Sequence, residues 1–528
     1  MLQKYRDKTK SLMNNLEKVI RKIGEYPNVI FWGLVFFGIV IRVMQYIKCR
    51  SLRIDEANLA LNIINSSMAG LLDSFVDFQI APFLFLILQK CNIILFGTSE
   101  YALRLLPFMF SILGVLLFAN LASKVLKKNL PVFGAVLLFA VSKYLIIYCA
   151  DMKQYSSNVT IAIILYLLFL KYCNQGGLSF TQQIIFGVIG ALSIWMSFFS
   201  VFILASLGLC LCFCYYSTQK RNIFTLVLPC IFWGIALLGM FYFLKSNSNV
   251  ELQQDLPVWR RAYMPLPPSI TWLYKTFERL FLNPGGFSSS VPIIVVTFIF
   301  GCVRLLRTNK RLFYAFVLPV FMALIASALK KYPFEGRMLI SMLPFMLLAI
   351  AAGSYCIAKK LLQSSRSIAV VFVLLIYFFP AVYGVNRIKD PLNFHDIKPL
   401  MNILSQNIQQ GDIIYVYNGD IAAFRYYKDR YDLTDVDWIE GIHSTGGPYG
   451  TLFKYFEVTD KIDTLRNHPR VWFLFCNNRI GKAAFNEMKF HLYYLDTVGH
   501  LEAQYRSKDG FLYLYDLTKE ADRRGITK

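Results

Sequence analysis

Long apolar runs without charge recur along the first three quarters of the chain, among them Ile161–Leu170, Val201–Tyr216, Ile223–Leu244 and Met338–Ala358. Each approaches the ~20 residues that cross a bilayer core as a helix. Read this way, the chain has roughly eleven spans, at 29–48, 103–123, 131–149, 157–171, 183–198, 200–216, 223–244, 291–306, 313–329, 338–358 and 368–384. The segment Ile80–Gly97 is short and carries Gln89, Lys90 and Asn92, so it reads as a juxtamembrane helix. From about Val385 polar and apolar residues mix. A helix over Ile397–Ile408, a turn at Gln410-Gly411-Asp412 and strands at Ile413–Tyr417, Val471–Cys476 and Phe511–Tyr515 follow, with a further helix at Ala483–Lys489. The expected fold class is an α-helical multi-pass membrane protein with a C-terminal soluble α/β domain. Its expected parts are a basic amphipathic segment (1–28), a transmembrane domain (29–384) and the α/β domain (385–528).

Composition agrees, with 56% apolar residues and a mean hydropathy of +0.47; soluble proteins average about 45–50% apolar. A net charge of +23 raises nucleic acid as a partner, but the basic residues sit in short clusters between apolar runs, which excludes that reading. They are topology signals. With Ile80–Gly97 in the interface, one side holds Lys124/Lys127/Lys128, Lys171, Lys220/Arg221, Arg304/Arg307/Lys310/Arg311 and Lys359/Lys360/Arg366, with no acid. The positive-inside rule makes that side cytoplasmic, together with the N-terminus, and places the C-terminal domain outside the cell membrane. Every carboxylate between residues 29 and 384 then lies on the outer side, and all five histidines lie in the C-terminal part. The eleven cysteines show neither zinc spacing nor a disulfide framework.

Three outer-side clusters carry candidate chemistry. Arg53-Ile54-Asp55-Glu56 follows the first span and pairs two carboxylates with a cation, which suits a base, a divalent metal or a sugar hydroxyl; a solvated loop is the plain alternative. Asp151, Lys153 and Tyr155 fall together between the third and fourth spans, where an interfacial belt of Tyr and Lys would look the same. Lys330-Lys331-Tyr332-Pro333-Phe334-Glu335-Gly336-Arg337 places cations against the positive-inside tendency and suits an oxyanion site. Arg260, Arg261, Lys275 and Arg279 add charge in the long loop 245–290, whose prolines forbid one continuous helix. Charge inside the spans is nearly confined to Arg42 and Lys143.

In order, these pieces resemble the GT-C glycosyltransferases, in particular bacterial relatives of protein O-mannosyltransferase and of the lipid A aminoarabinose transferase. Asp55-Glu56 matches the acidic pair of the first outer loop, and Ala81-Pro82-Phe83 stands where a Pro-Pro-Leu juxtamembrane helix begins. The stretch Phe96 to Pro107, with Glu100 and Arg104, is similar to the Phe-Gly, acid, Arg-Leu-Pro entry to the second span. Tyr332-Pro333-Phe334 with Arg337 resembles the late Tyr-Pro and Arg loop. Two departures stand out: no His or Lys precedes a double proline at 79–82, and Asp151 replaces the usual Glu of a Glu-x-Lys/Arg-x-Tyr pattern.

The resemblance implies a transferase that moves a sugar from a polyprenyl-phosphate donor to a lipid, glycan or protein acceptor at the outer face of a bacterial cytoplasmic membrane. Asp55 would be the base of an inverting reaction, with Glu56 orienting the acceptor. Arg337, Lys153 and Arg104 would bind the donor phosphate, and Asp151, Tyr155, Tyr332 and Glu335 would contact substrate. No cofactor is certain; a divalent metal, if used, would take Asp55, Glu56 and Asp151. The rival readings are a transporter or flippase for a lipid-linked sugar, which would place ionisable groups at the midplane, and a surface-polysaccharide polymerase or ligase.

Overall fold

A computed structural model describes residues 26–73, 75–216, 222–246, 257–287, 291–393, 395–442, 455–476 and 487–518. The basic segment 1–28 lies almost wholly outside them, as does the start of the helix expected at 483–489. The chain is a multi-pass membrane protein. Among the described residues, eight helices are long and apolar enough to cross a bilayer: Pro27–Ile47, Glu100–Leu126, Tyr155–Tyr172, Ile223–Ser246, Val291–Thr308, Lys310–Ala328, Gly336–Ser364 and Arg366–Lys389. The pair Asn129–Val141 and Lys143–Cys149, bent by 49°, makes a ninth when taken as one broken span. The remaining two expected spans form apolar helices of 17 residues each, Phe180–Met196 and Ser200–Tyr216. At 1.5 Å per residue each is about 25 Å long, a few Å short of a typical hydrocarbon core. Ile80–Gly97 contains the 14-residue helix Phe83–Phe96, about 21 Å long.

The chain forms two compact units. The first comprises residues 1–47, 104–242 and 263–391 and holds most of the spans. At its centre are Gly336–Ser364 and Tyr155–Tyr172, both largely buried, while Arg366–Lys389 and Val291–Thr308 expose most of their surface. Two spans touch at glycine: a Cβ on Gly301 would lie 1.8 Å from the Ala349 carbonyl oxygen, and one on Gly353 would lie 1.9 Å from that of Thr297. Only hydrogen lets these backbones meet, the usual device where lipid removes any hydrophobic drive for helix association.

The broken span has its own physical logic. Ser142 leaves helical geometry (φ −58°, ψ 121°), which ends Asn129–Val141 and strands its last carbonyls in apolar surroundings. Arg42, fully buried on Pro27–Ile47, answers them: Nη1 donates to the Ala140 carbonyl at 3.1 Å and Nη2 to that of Phe139 at 3.2 Å. Its remaining donors reach the Gly38 carbonyl at 2.9 Å and Ser111 Oγ at 2.8 Å, and the guanidinium lies over the Phe139 ring. One of the two charges noted inside the spans therefore caps a helix end.

The second unit comprises residues 48–103, 243–262 and 392–528. Among the described residues its sheet has five strands: β1 (Ile413–Val416), β2 (Asp437–Glu440), β3 (Val471–Phe475), β4 (His500–Arg506) and β5 (Phe511–Asp516), in the order β2-β1-β3-β5-β4. β1 runs parallel to β2 and β3, with Ile413 opposite Val471, and β5 is antiparallel to β3 and β4. The core on one face gathers Tyr415, Phe473, Tyr513 and Tyr515 with Val458 and Leu495. The three expected strands are the central ones, and the expected helix at 397–408 is Lys398–Asn407. The edge strands β2 and β4 and the helix Ile421–Tyr427 were not expected.

Candidate functional site

The candidate residues fall in both units, and each group is built within its own. In the second unit, the helix Ile54–Asn65 starts immediately after Arg53, which leaves Asp55 and Glu56 in its first turn, where negative charge favours a helix N-terminus. Glu56 is fully buried. Its Oε2 accepts from Arg50 Nη1 at 2.6 Å and from the Arg53 backbone N–H at 3.1 Å, so one carboxylate neutralises a buried guanidinium and closes the helix start. Asp55, one position earlier, is half-buried, and Asn58, one turn on, is buried with Oδ1 lacking a hydrogen-bond partner among the described residues.

This helix start is tied to distant sequence. The Leu52 N–H donates to the Tyr427 hydroxyl at 3.0 Å, and that hydroxyl donates to Glu100 Oε1 at 2.8 Å. Lys398 Nζ bridges Glu100 Oε1 (2.5 Å) and the Cys49 carbonyl (2.7 Å). Tyr426 donates to the Thr98 carbonyl at 2.6 Å. Nothing in the pattern of 385–528 marked Tyr426, Tyr427 or Lys398.

In the first unit, Asp151, Met152, Lys153 and Gln154 form a tight turn between helices, with the Lys153 N–H on the Asp151 carbonyl at 2.6 Å. All four are buried, so this is no exposed belt of interfacial anchors. Gln154 Oε1 and Asn158 Oδ1 are buried acceptors with no donor among the described residues. Tyr155 starts the next helix, its ring 4.5 Å from that of Tyr148, and the Arg337 guanidinium lies over it with 5.6 Å to the ring centroid. The turn 151–155 and the Arg337 loop, 182 residues apart from Tyr155 in sequence, thus meet through a cation–π contact.

The Arg337 loop is held from several directions. Tyr332 donates its hydroxyl to the Met338 carbonyl at 2.8 Å, and burial pushes that phenol above its ordinary range, which keeps it a donor. Glu335 pairs with Arg279 at 3.6 Å, joining the loop to the helix Ile270–Leu282. Asn158 and Ser341 link the helix Tyr155–Tyr172 to the turn that follows Arg337, Ser341 Oγ to the Asn158 carbonyl at 3.4 Å. Arg104 is fully buried on Glu100–Leu126. For a metal, no group of three or more His, Cys, Asp or Glu side chains comes together among the described residues, and Glu56 already serves Arg50.

No protein-family model matches the chain, and no curated protein matches it in sequence. Solved structures do match. ArnT from Cupriavidus metallidurans, crystallised with undecaprenyl phosphate, superimposes with a TM-score of 0.50 at 12% identity, covering 92% of this chain and 97% of that one. Its apo state gives 0.49 over the same shares. The oligosaccharyltransferase AglB from Archaeoglobus fulgidus, in complex with an inhibitory peptide and a dolichol-phosphate, gives 0.47 at 11% identity, covering 93% of this chain and 74% of that one.

Proposed function

We propose that this chain, which has the GT-C fold, is a membrane glycosyltransferase that moves a sugar from a polyprenyl-phosphate donor to a lipid, glycan or protein acceptor. The observation that carries the reading is the start of the helix Ile54–Asn65: Glu56 is held in a buried ion pair, while Asp55 stays half-buried beside it on the same turn. One carboxylate fixes the turn so that the other is presented in a set direction. A base in such a position takes the acceptor's hydroxyl proton as its oxygen attacks the anomeric carbon.

The bond from the anomeric carbon to the phosphate oxygen breaks as the new bond forms, and its electron pair leaves with the polyprenyl phosphate. Arg337 and Lys153, with Arg104 as a further cation, neutralise the charge gathering on that phosphate. Stacking of Arg337 on Tyr155 and the Tyr332 and Glu335 contacts of its loop hold that donor in place. Asp151 sets the turn that carries Lys153. In this reading the candidate residues face the extracytoplasmic side of a cell membrane, and residues 385–528 form an extracytoplasmic domain that completes the acidic loop.

The test is transfer of radiolabelled sugar from a panel of polyprenyl-phosphate donors to membrane lipids, glycans and proteins. Asp55→Asn and Arg337→Ala are each expected to lower transfer by roughly 100- to 1,000-fold while inserting normally. Transfer by both variants at the wild-type rate removes these residues from the chemistry.

A further inference from the structure

The break at Ser142 opens into a cavity of about 310 Å³ that none of the candidate site residues lines. Both halves of the broken span bound it, together with the loop Gly285–Phe287 and the helices Gly336–Ser364 and Arg366–Lys389. The space equals about ten water molecules, enough for a phosphate headgroup and the first atoms beyond it.

Its polar lining is Ser142, Lys143, Tyr383 and Asn386. Ser142 is only 6% exposed, and its Oγ and the Tyr383 hydroxyl are buried with no hydrogen-bond partner among the described residues. Lys143 is exposed on this lining, and no described carboxylate pairs with it; its charge meets only the Tyr144 ring, at 5.7 Å. A second cation, Arg387, lies over the Tyr383 ring at 5.2 Å. An ionisable residue inside a span that packs against no described acid marks a candidate site by default.

Depth and access narrow the ligand. Lys143 opens a 7-residue helix, so it sits about 10 Å from that end of the broken span. Tyr383 and Asn386 fall in the last two turns of Arg366–Lys389, at the depth where headgroups meet acyl chains. Phe379 and Val382, also on the lining, are 51% and 40% exposed on a span that turns most of its surface outward, so the cavity opens sideways to lipid.

We propose that this cavity binds the phosphate headgroup of an anionic phospholipid from the surrounding bilayer. Lys143 meets the phosphate charge, and Ser142, Tyr383 and Asn386 donate hydrogen bonds to its oxygens. The acyl chains leave along Phe379 and Val382. Binding here is independent of sugar transfer.

Native mass spectrometry of the purified full chain, titrated with phosphatidylglycerol, phosphatidylcholine or inorganic phosphate, tests it. Phosphatidylglycerol is expected to bind at least ~10-fold more tightly than either of the others, a preference lost in Lys143→Met, kept in Lys143→Arg and weakened in Tyr383→Phe. Equal binding of phosphatidylcholine, or an unchanged preference in both Lys143→Met and Tyr383→Phe, overturns the site. Inorganic phosphate binding as tightly as phosphatidylglycerol overturns the lipid as its source. Should Lys143→Met fail to fold, the comparison of wild type, Lys143→Arg and Tyr383→Phe decides.

Discussion

On the proposed function, Glu56 is the scaffolding carboxylate and Asp55 the chemical one, and a substitution at Glu56 tests that division. Replacing it with alanine removes a carboxylate partner of a buried guanidinium, paired at 2.6 Å, and the acceptor for the Arg53 N–H. Breaking a buried pair from one side costs about 3–5 kcal/mol, of which the lost cap accounts for ~1. Glutamine keeps an oxygen in place for both donors and loses only the charge, about 1–2 kcal/mol. At about 2–4 °C per kcal/mol for a unit of ~150–250 residues, alanine lowers the unfolding midpoint by roughly 6–20 °C and glutamine by roughly 2–8 °C. A thiol-reactive dye suits the assay, since the buried cysteines become reactive on unfolding. The double replacement Arg50→Met with Glu56→Leu is expected to regain much of the loss, because neither charge is then left buried alone. An alanine variant that unfolds within 2 °C of wild type yet transfers no sugar refutes the reasoning and moves Glu56 into the chemistry.

Two further expectations follow from the spans. Arg42→Met takes the side-chain donors from the Phe139 and Ala140 carbonyls, at about 1–3 kcal/mol for each left unmatched, so its midpoint falls in the same dye assay; an unchanged midpoint means water caps the broken span instead. Gly301→Ala drives a methyl group into the Ala349 backbone, whereas Gly234→Ala has nothing within 4 Å; fluorescence-detected gel filtration is expected to show aggregation of the first and a wild-type peak for the second. Matching peaks for the two would show that these helices separate at little cost.

Spans were legible because a bilayer demands about 20 apolar residues in a row, a signal that survives without any knowledge of packing. The broken span read as continuous: Ser142 is neither proline nor glycine, and the clue was the lysine that follows it. In the sheet, the central strands β1, β3 and β5 are apolar on both faces and were visible. The edges β2 and β4 hold only half-buried and exposed positions and carry Asp437, Glu440, Glu502 and Arg506, the charged dress that keeps an edge from pairing elsewhere. Asp55 and Glu56 stood out as a pair, but the burial of Glu56 against Arg50, six residues back and across a turn, did not. No periodicity reports such a contact.

The hydrogen bond from Leu52 to Tyr427 joins residues 375 positions apart. During synthesis at about 5–20 residues per second, the stretch that carries Asp55 emerges roughly 20–75 s before the tyrosine that anchors it. Nearly the whole membrane part must be made while that stretch waits, and closing so long a loop is slow compared with pairing neighbouring helices. A truncated chain can therefore insert most of its spans and still lack the final geometry of its acidic turn. Completion of the last quarter of the chain acts as a checkpoint on the first loop, so that a half-made protein carries its carboxylates without the frame that aims them.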